Sequence, residues 1–308
     1  MTASRVAALC LAASALMFVA TLAVASRVLR HRDTGSPHAP TLALLPPVAG
    51  ATLGGERVSS ETLTLGRDLY VQHCAGCHGA RGHGDGASGV GLVPAPTDLT
   101  RGVYKFGSVP SGELPPLDDL RRTLTRGLRG TAMRPWPLSA REVTAVARYV
   151  QWLSPRWRRE RSGTSIDLRS PEWADPFASD VTAGVARGEA VYHGLAQCTA
   201  CHPAYVSMER VRAYATELQG TSDVALRPDV ETSRAVYEEG HRAWALATDF
   251  ARHPMRDGDD VASVARSIAM GLGGTPMPTW YGALSPRDIW ALAHYVRGLA
   301  ATPAAPRP

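Results

Sequence analysis

Apolar residues recur at helical spacing in four stretches that pair off along the chain. Leu117, Leu120, Leu124 and Leu128 form one set, and Val261, Val264, Ile268 and Leu272 repeat it 144 positions later. Val143, Val146, Val150 and Leu153 form another, matched by Ile289, Leu292, Val296 and Leu299 at an offset of 146. Steps of three and four put each set on one helix face, so each half is predicted to hold two amphipathic helices. Leu65 and Leu69 predict a further helix over 59–73. Ser139 with Glu142 reads as a capping box, and Ser285-Pro286-x-Asp288 starts its helix with proline first and an acid in the first turn. The loops between the paired helices also match, Gly127 to Trp136 against Gly271 to Trp280, at the offset of 144. Upstream, Thr97-Asp98-Leu99-Thr100-Arg101 echoes Thr248-Asp249-Phe250-Ala251-Arg252. The pattern describes one domain, duplicated.

Around the two copies, at 59–154 and 183–300, the polarity changes. Val6 to Ala25 is an unbroken apolar or small run behind Arg5, so residues 1–32 read as an export segment. Its length, about 20 residues, suits a membrane anchor. Its Ala23-Val24-Ala25 end suits signal cleavage, and Arg27, Arg30 and Arg32 beyond it weigh against the anchor. Both fates remain open. Residues 33–58, rich in Pro, Gly and Ala, are read as a spacer, 155–182 as a solvated, Arg-rich linker, and 301–308 as a tail. The second copy carries an insertion at about 205–247, mixed in polarity and helical in character.

Within each copy the chemistry centres on Cys74-Ala75-Gly76-Cys77-His78 and Cys198-Thr199-Ala200-Cys201-His202. C-x-x-C-H is the attachment pattern of a c-type haem. The two thiols reach the two vinyl groups of one porphyrin, and the adjacent histidine ligates the iron. A zinc site needs further ligands at short spacing, and a thioredoxin-like pair needs a βαβ context. Neither is visible. The remaining cysteine, Cys10, sits in the apolar leader as a small apolar residue.

A sixth ligand is sought at matched positions. Met133 and Met277 occupy equivalent places in the glycine-rich loops, and a thioether there completes a His/Met site. Met208 and Met255 have no counterpart in the first half. His73, His83, His193, His241 and His253 do not recur either and are read as surface or loop histidines. Trp136 and Trp280, and Tyr70 and Tyr192, are read as packing beside the cofactor or in the core. The glycine-dense stretch 79–86 lacks the strand and the Lys-Ser/Thr of a nucleotide loop and is read as a tight turn against the haem edge.

Composition changes this picture little. Only 6% of the 308 residues are aromatic, which leaves room for a buried macrocycle to supply apolar bulk. The formal charge of +5 would be largely offset by four propionates, so no nucleic-acid partner is inferred. No disulfide framework is left over.

With helix, C-x-x-C-H, looped middle, Gly-x-x-Gly-Thr-x-Met and closing helix in each copy, the chain resembles tandem class I cytochromes c. The resemblance implies an all-α fold behind an N-terminal hydrophobic helix, two haem c groups on Cys74, Cys77, Cys198 and Cys201, and iron held by His78 with Met133 and His202 with Met277. It also implies attachment outside the cytoplasm, on the periplasmic side of the membrane. The expected function is electron transfer between redox partners, as in dihaem subunits of bacterial respiratory oxidoreductases, without catalysis by side chains. The alternative is a dihaem enzyme, a peroxidase or small-molecule oxidase or dehydrogenase, with one reactive haem.

Overall fold

The computed structural model describes residues 47–221 and 227–301. The leader, most of the spacer and all but the first residue of the tail lie outside the described residues. Among the described residues no helix is long and apolar enough to cross a membrane.

In the first half, strands β1 (Ala51–Leu53) and β2 (Glu56–Val58) pair antiparallel ahead of helix α1 (Ser60–His73). This corrects the reading of 33–58 as a spacer over its described end, 47–58: Leu53 and Val58 are buried in the same core as Leu63, Tyr70 and Val146. The Ser59 side chain accepts from the Thr62 amide at 3.2 Å and starts α1. Helix α2 (Ala75–His78) carries the second cysteine and the histidine of the first motif. Helix α3 (Leu117–Arg126) leads into the first methionine loop, and α4 (Ala140–Leu153) closes the half behind the expected Ser139–Glu142 capping box.

The linker is folded too. Helix α5 (Arg156–Arg159) and the 3₁₀ turn Pro171–Trp173 bury Trp157, Trp173 and Phe177. Arg156 binds Glu160 and the carbonyls of Gly102 and Gly112. The solvated-linker reading missed this because the arginines dominate the local composition, while three scattered aromatics do the packing.

The second half repeats the plan with α6 (Val181–Ala190) running into a π-helical turn at Val191–Leu195, α8 (Val261–Met270) and α9 (Pro286–Ala301). Its insertion holds α7 (Met208–Gln219), followed by an antiparallel hairpin of β3 (Ala235–Glu238) and β4 (Ala243–Leu246). The fold is therefore mostly helical with two short hairpins, and the helical reading holds for only part of the insertion. Along the two strands Val236 and Glu238, and Ala243 and Ala245, are the inward positions of a period-2 alternation.

In both halves the first and last helices cross at a glycine. A Cβ on Gly66 would lie 2.0 Å from the Ala145 carbonyl oxygen, and a Cβ on Gly188 would lie 2.0 Å from that of Ala291. Only glycine permits so close an approach of two helix backbones. The crossing packs Tyr70 against Tyr149 and Tyr192 against Tyr295 with their ring planes steeply inclined, centroids 5.3 and 5.5 Å apart. It fixes where the end of each first helix, and hence each Cys-x-x-Cys-His segment, lies.

Candidate functional site: two matched cavities

Each half encloses a mostly apolar cavity. The first is lined by Cys74, Cys77, His78, Met133 and Trp136. The second is lined by Cys198, Cys201, His202, Met277 and Trp280. In each, two thiols, an imidazole and a thioether converge on one apolar space, the donor set that a covalently held macrocycle with a central metal would meet. The two cysteine pairs lie in separate cavities and do not converge on one metal site.

The histidines are set up alike. His78 Nδ1 donates to the Thr97 carbonyl at 3.1 Å, and His202 Nδ1 donates to the Thr248 carbonyl at 2.9 Å. With Nδ1 committed to a carbonyl, the proton is fixed there and Nε2 is left with its lone pair for a metal. Burial lowers the pKa of both rings, which keeps them neutral and competent as ligands. This gives a physical role to the Thr-Asp echo seen in the sequence.

A buried tyrosine anchors each motif from behind. The Tyr70 hydroxyl donates to Gly79 O at 2.8 Å and the Tyr192 hydroxyl to Pro203 O at 2.9 Å, in each case the residue after the motif histidine. Burial raises both phenol pKa values, so the hydroxyls remain donors. Burial, with the neighbouring thiol, pushes Cys74 up to about 12, and burial pushes Cys198 up to about 12 as well. Thiols so hard to ionise are poor exchange nucleophiles, which argues against a redox-dithiol role.

The methionine loops also superpose in their bonding. The Met133 amide donates to Thr131 Oγ1 at 3.1 Å, whose hydroxyl donates to Leu128 O at 2.8 Å. Met277, Thr275 and Leu272 repeat this at 3.2 and 2.8 Å. The threonine of Gly-Thr-x-Met thus folds the loop that brings each methionine to its cavity.

Some side chains lie elsewhere than expected. His73 lines the first cavity beside Trp136, and Met255 lines the second along with Met277. His193 is fully buried: its Nδ1 donates to Glu189 O at 2.9 Å and its Nε2 accepts from the Tyr205 amide at 3.2 Å. His241 lines the first cavity although it belongs to the second half. His83 and His253 are exposed, as expected. The glycine stretch 79–86 wraps the back of the first motif, with the Gly86 amide on Cys77 O at 3.1 Å, and does not line the cavity.

Sequence reasoning missed the wall between the cavities. Lys105, Phe106 and Arg256 line both of them. The two halves meet there with a near-twofold correspondence: Arg129 N–H donates to Arg256 O at 2.9 Å, and Gly273 N–H donates to Lys105 O at 3.0 Å. Arg129 and Gly273 are equivalent in the repeat, so each methionine loop holds the other half's wall segment. Arg256 makes no ion pair among the described residues, and it faces cavities that would receive carboxylated groups. The only lysine of the chain, Lys105, shares that wall.

Comparison with known proteins agrees with this geometry. Residues 61–150 match the family model described as cytochrome C oxidase, cbb3-type, subunit III. The chain carries a c-type cytochrome domain. No curated protein matches the sequence. Among solved structures, a chain of the Kuenenia stuttgartiensis reducing HAO-like protein complex is similar at 27% identity and a TM-score of 0.60, covering 76% of this chain and 95% of that one.

Proposed function

We propose that the chain is a dihaem c-type cytochrome that passes single electrons between its two haems and outside redox partners. One observation carries the reading: two cavities, each with paired cysteines, a histidine whose Nδ1 is tied to a threonine carbonyl, and a methionine in a matched loop. Cys74 and Cys77, and Cys198 and Cys201, would hold the two groups covalently. His78 with Met133, and His202 with Met277, would ligate the two irons. Bound haem would supply a one-electron couple, and a histidine with a thioether as ligands would leave the iron no open position and raise its potential. The remaining residues exclude water, fix the histidine tautomers and bring the two cavities to one wall.

The structural relative supports a duplicated reading, because 76% of this chain is more than either copy alone contains. That relative belongs to a protein complex, which favours a subunit or partner of an oxidoreductase over a free carrier. The leader pattern and the attachment chemistry favour the outer face of the cytoplasmic membrane. The alternative, an enzyme with one reactive haem, draws support from the second cavity, where the insertion adds lining residues and Met255 offers a second thioether.

Carbon monoxide binding to the reduced holoprotein at neutral pH separates the two. Two closed irons predict no spectral change in either haem. Ready binding at one haem would overturn the carrier reading and direct attention to substrates.

A further inference from the structure

The insertion in the second half reaches into the first half's site. At the tip of the β3–β4 hairpin, Gly240 O accepts the Asp98 amide at 3.1 Å, and His241 Nε2 lies 3.1 Å from Thr97 Oγ1. Thr97 C=O and Asp98 N–H are the two ends of one peptide group, and its carbonyl is the acceptor for His78 Nδ1. A continuous line of hydrogen bonds therefore runs from the first motif histidine, through a single peptide, to the hairpin tip.

The tip is firmly seated. Glu238 pairs with Lys105, both side chains being about nine-tenths buried, and His241 Nδ1 lies 3.0 Å from Glu238 Oε2. Glu239 pairs with Arg101, and its amide donates to Gly274 O at 2.7 Å. Gly274, at φ +73, allows this approach, since a Cβ there would lie 3.0 Å from Gly240 N. The tip is thus wedged between the second methionine loop and the first half's Thr97–Asp98 peptide.

We propose that this hairpin tip is a positioning element for His78, and that through it the second half's insertion sets the potential of the first haem. The inference rests on the dihaem reading above. A carbonyl whose own amide partner is engaged is a stronger acceptor, because bonds in a chain polarise one another. A stronger acceptor at Nδ1 makes the imidazole a better donor to iron, which favours the oxidised state. The insertion, unexplained by the repeat, gains a role: it makes two otherwise similar sites unequal.

The test is spectroelectrochemical titration of the holoprotein carrying Thr97→Val, which removes the hydroxyl contact and leaves the carbonyl in place. At a fixed applied potential, the reduced-to-oxidised ratio of one haem should rise about threefold, with the other unchanged. The same haem should show altered ferric electron paramagnetic resonance g-values, which a merely structural role would not move. His241→Phe should shift the same haem, and the double variant should shift it no further than the larger single change, since both act on one link. Two haems per chain with both midpoints unmoved in both single variants would overturn the inference and leave the dihaem reading intact. Absence of covalent haem on the first motif of the wild type would instead overturn the reading beneath it.

Discussion

Gly188→Ala should destabilise the protein although it adds a better helix former. In α6 the new Cβ would fall 2.0 Å from the Ala291 carbonyl oxygen and 2.6 Å from both Ala291 C and Tyr295 Cβ. A carbon rests about 3.3–3.6 Å from such an oxygen, so α6 and α9 must separate by more than 1 Å, roughly. Overpacking of this kind costs about 1–3 kcal/mol, and contact with backbone, which no rotamer change relieves, places it at the upper end. The gain in helix propensity returns about 1 kcal/mol, leaving a net loss of about 2 kcal/mol. For a folded unit of this size that is a fall in Tm of about 4–8 °C. Gly298→Ala in α9 is the internal control, because its Cβ would meet nothing nearer than Val185 Cγ2 at 3.9 Å. That variant should melt at or slightly above the wild type. Thermal unfolding of the holoprotein, followed by circular dichroism in the far ultraviolet, reads both. If Gly188→Ala melts as high as Gly298→Ala, the close crossing of α6 and α9 is wrong.

Other substitutions probe the site itself. Tyr192→Phe strands the buried Pro203 carbonyl and should cost about 1–3 kcal/mol in denaturant unfolding while leaving the haem attached. Met133→Ala and Met277→Ala should each abolish the thioether-to-iron absorption of one haem, lower that haem's potential and admit carbon monoxide there. Burial opposes ionisation of Glu238, but the contacts from His241 and Lys105 outweigh it and hold the carboxyl at about 2, below the ordinary 4.5. A depressed carboxyl contributes stability that is full above about pH 4.5 and is lost as pH falls toward about 2. That loss is a few kcal/mol at most, about 1.4 kcal/mol for each unit of the shift. Unfolding free energies across that range should lose this component in the Lys105→Met/Glu238→Gln double variant, and an unchanged pH profile would refute it.

The repeat and its chemistry were legible because they are written in local spacing. Helices α3, α4, α8 and α9 follow the three-and-four periodicity of their leucines, valines and isoleucines, and the Ser139–Glu142 box formed as expected. Both motifs and both methionines line their cavities. What stayed hidden depends on contacts between distant segments. Nothing local marks Lys105 and Arg256 as partners across a wall, or His241 as a lining residue of a cavity whose motif lies far upstream. Nothing local marks Gly66 and Gly188, yet they decide the crossing. The hairpin of Leu53 and Val58 was masked by the Pro- and Gly-rich stretch before it, and Trp157 by its arginine neighbours. The Thr-Asp echo was visible as a repeat, but its purpose lies in a backbone carbonyl, which side-chain identity does not report.

The central claim is that both cavities hold covalent haem. Intact mass of the full-length holoprotein, with a pyridine haemochrome assay, tests it most directly. Wild type should carry two haems per chain, and Cys198→Ala/Cys201→Ala should carry one, retained on Cys74 and Cys77. A single haem in the wild type, or two haems surviving in the double variant, would contradict the account.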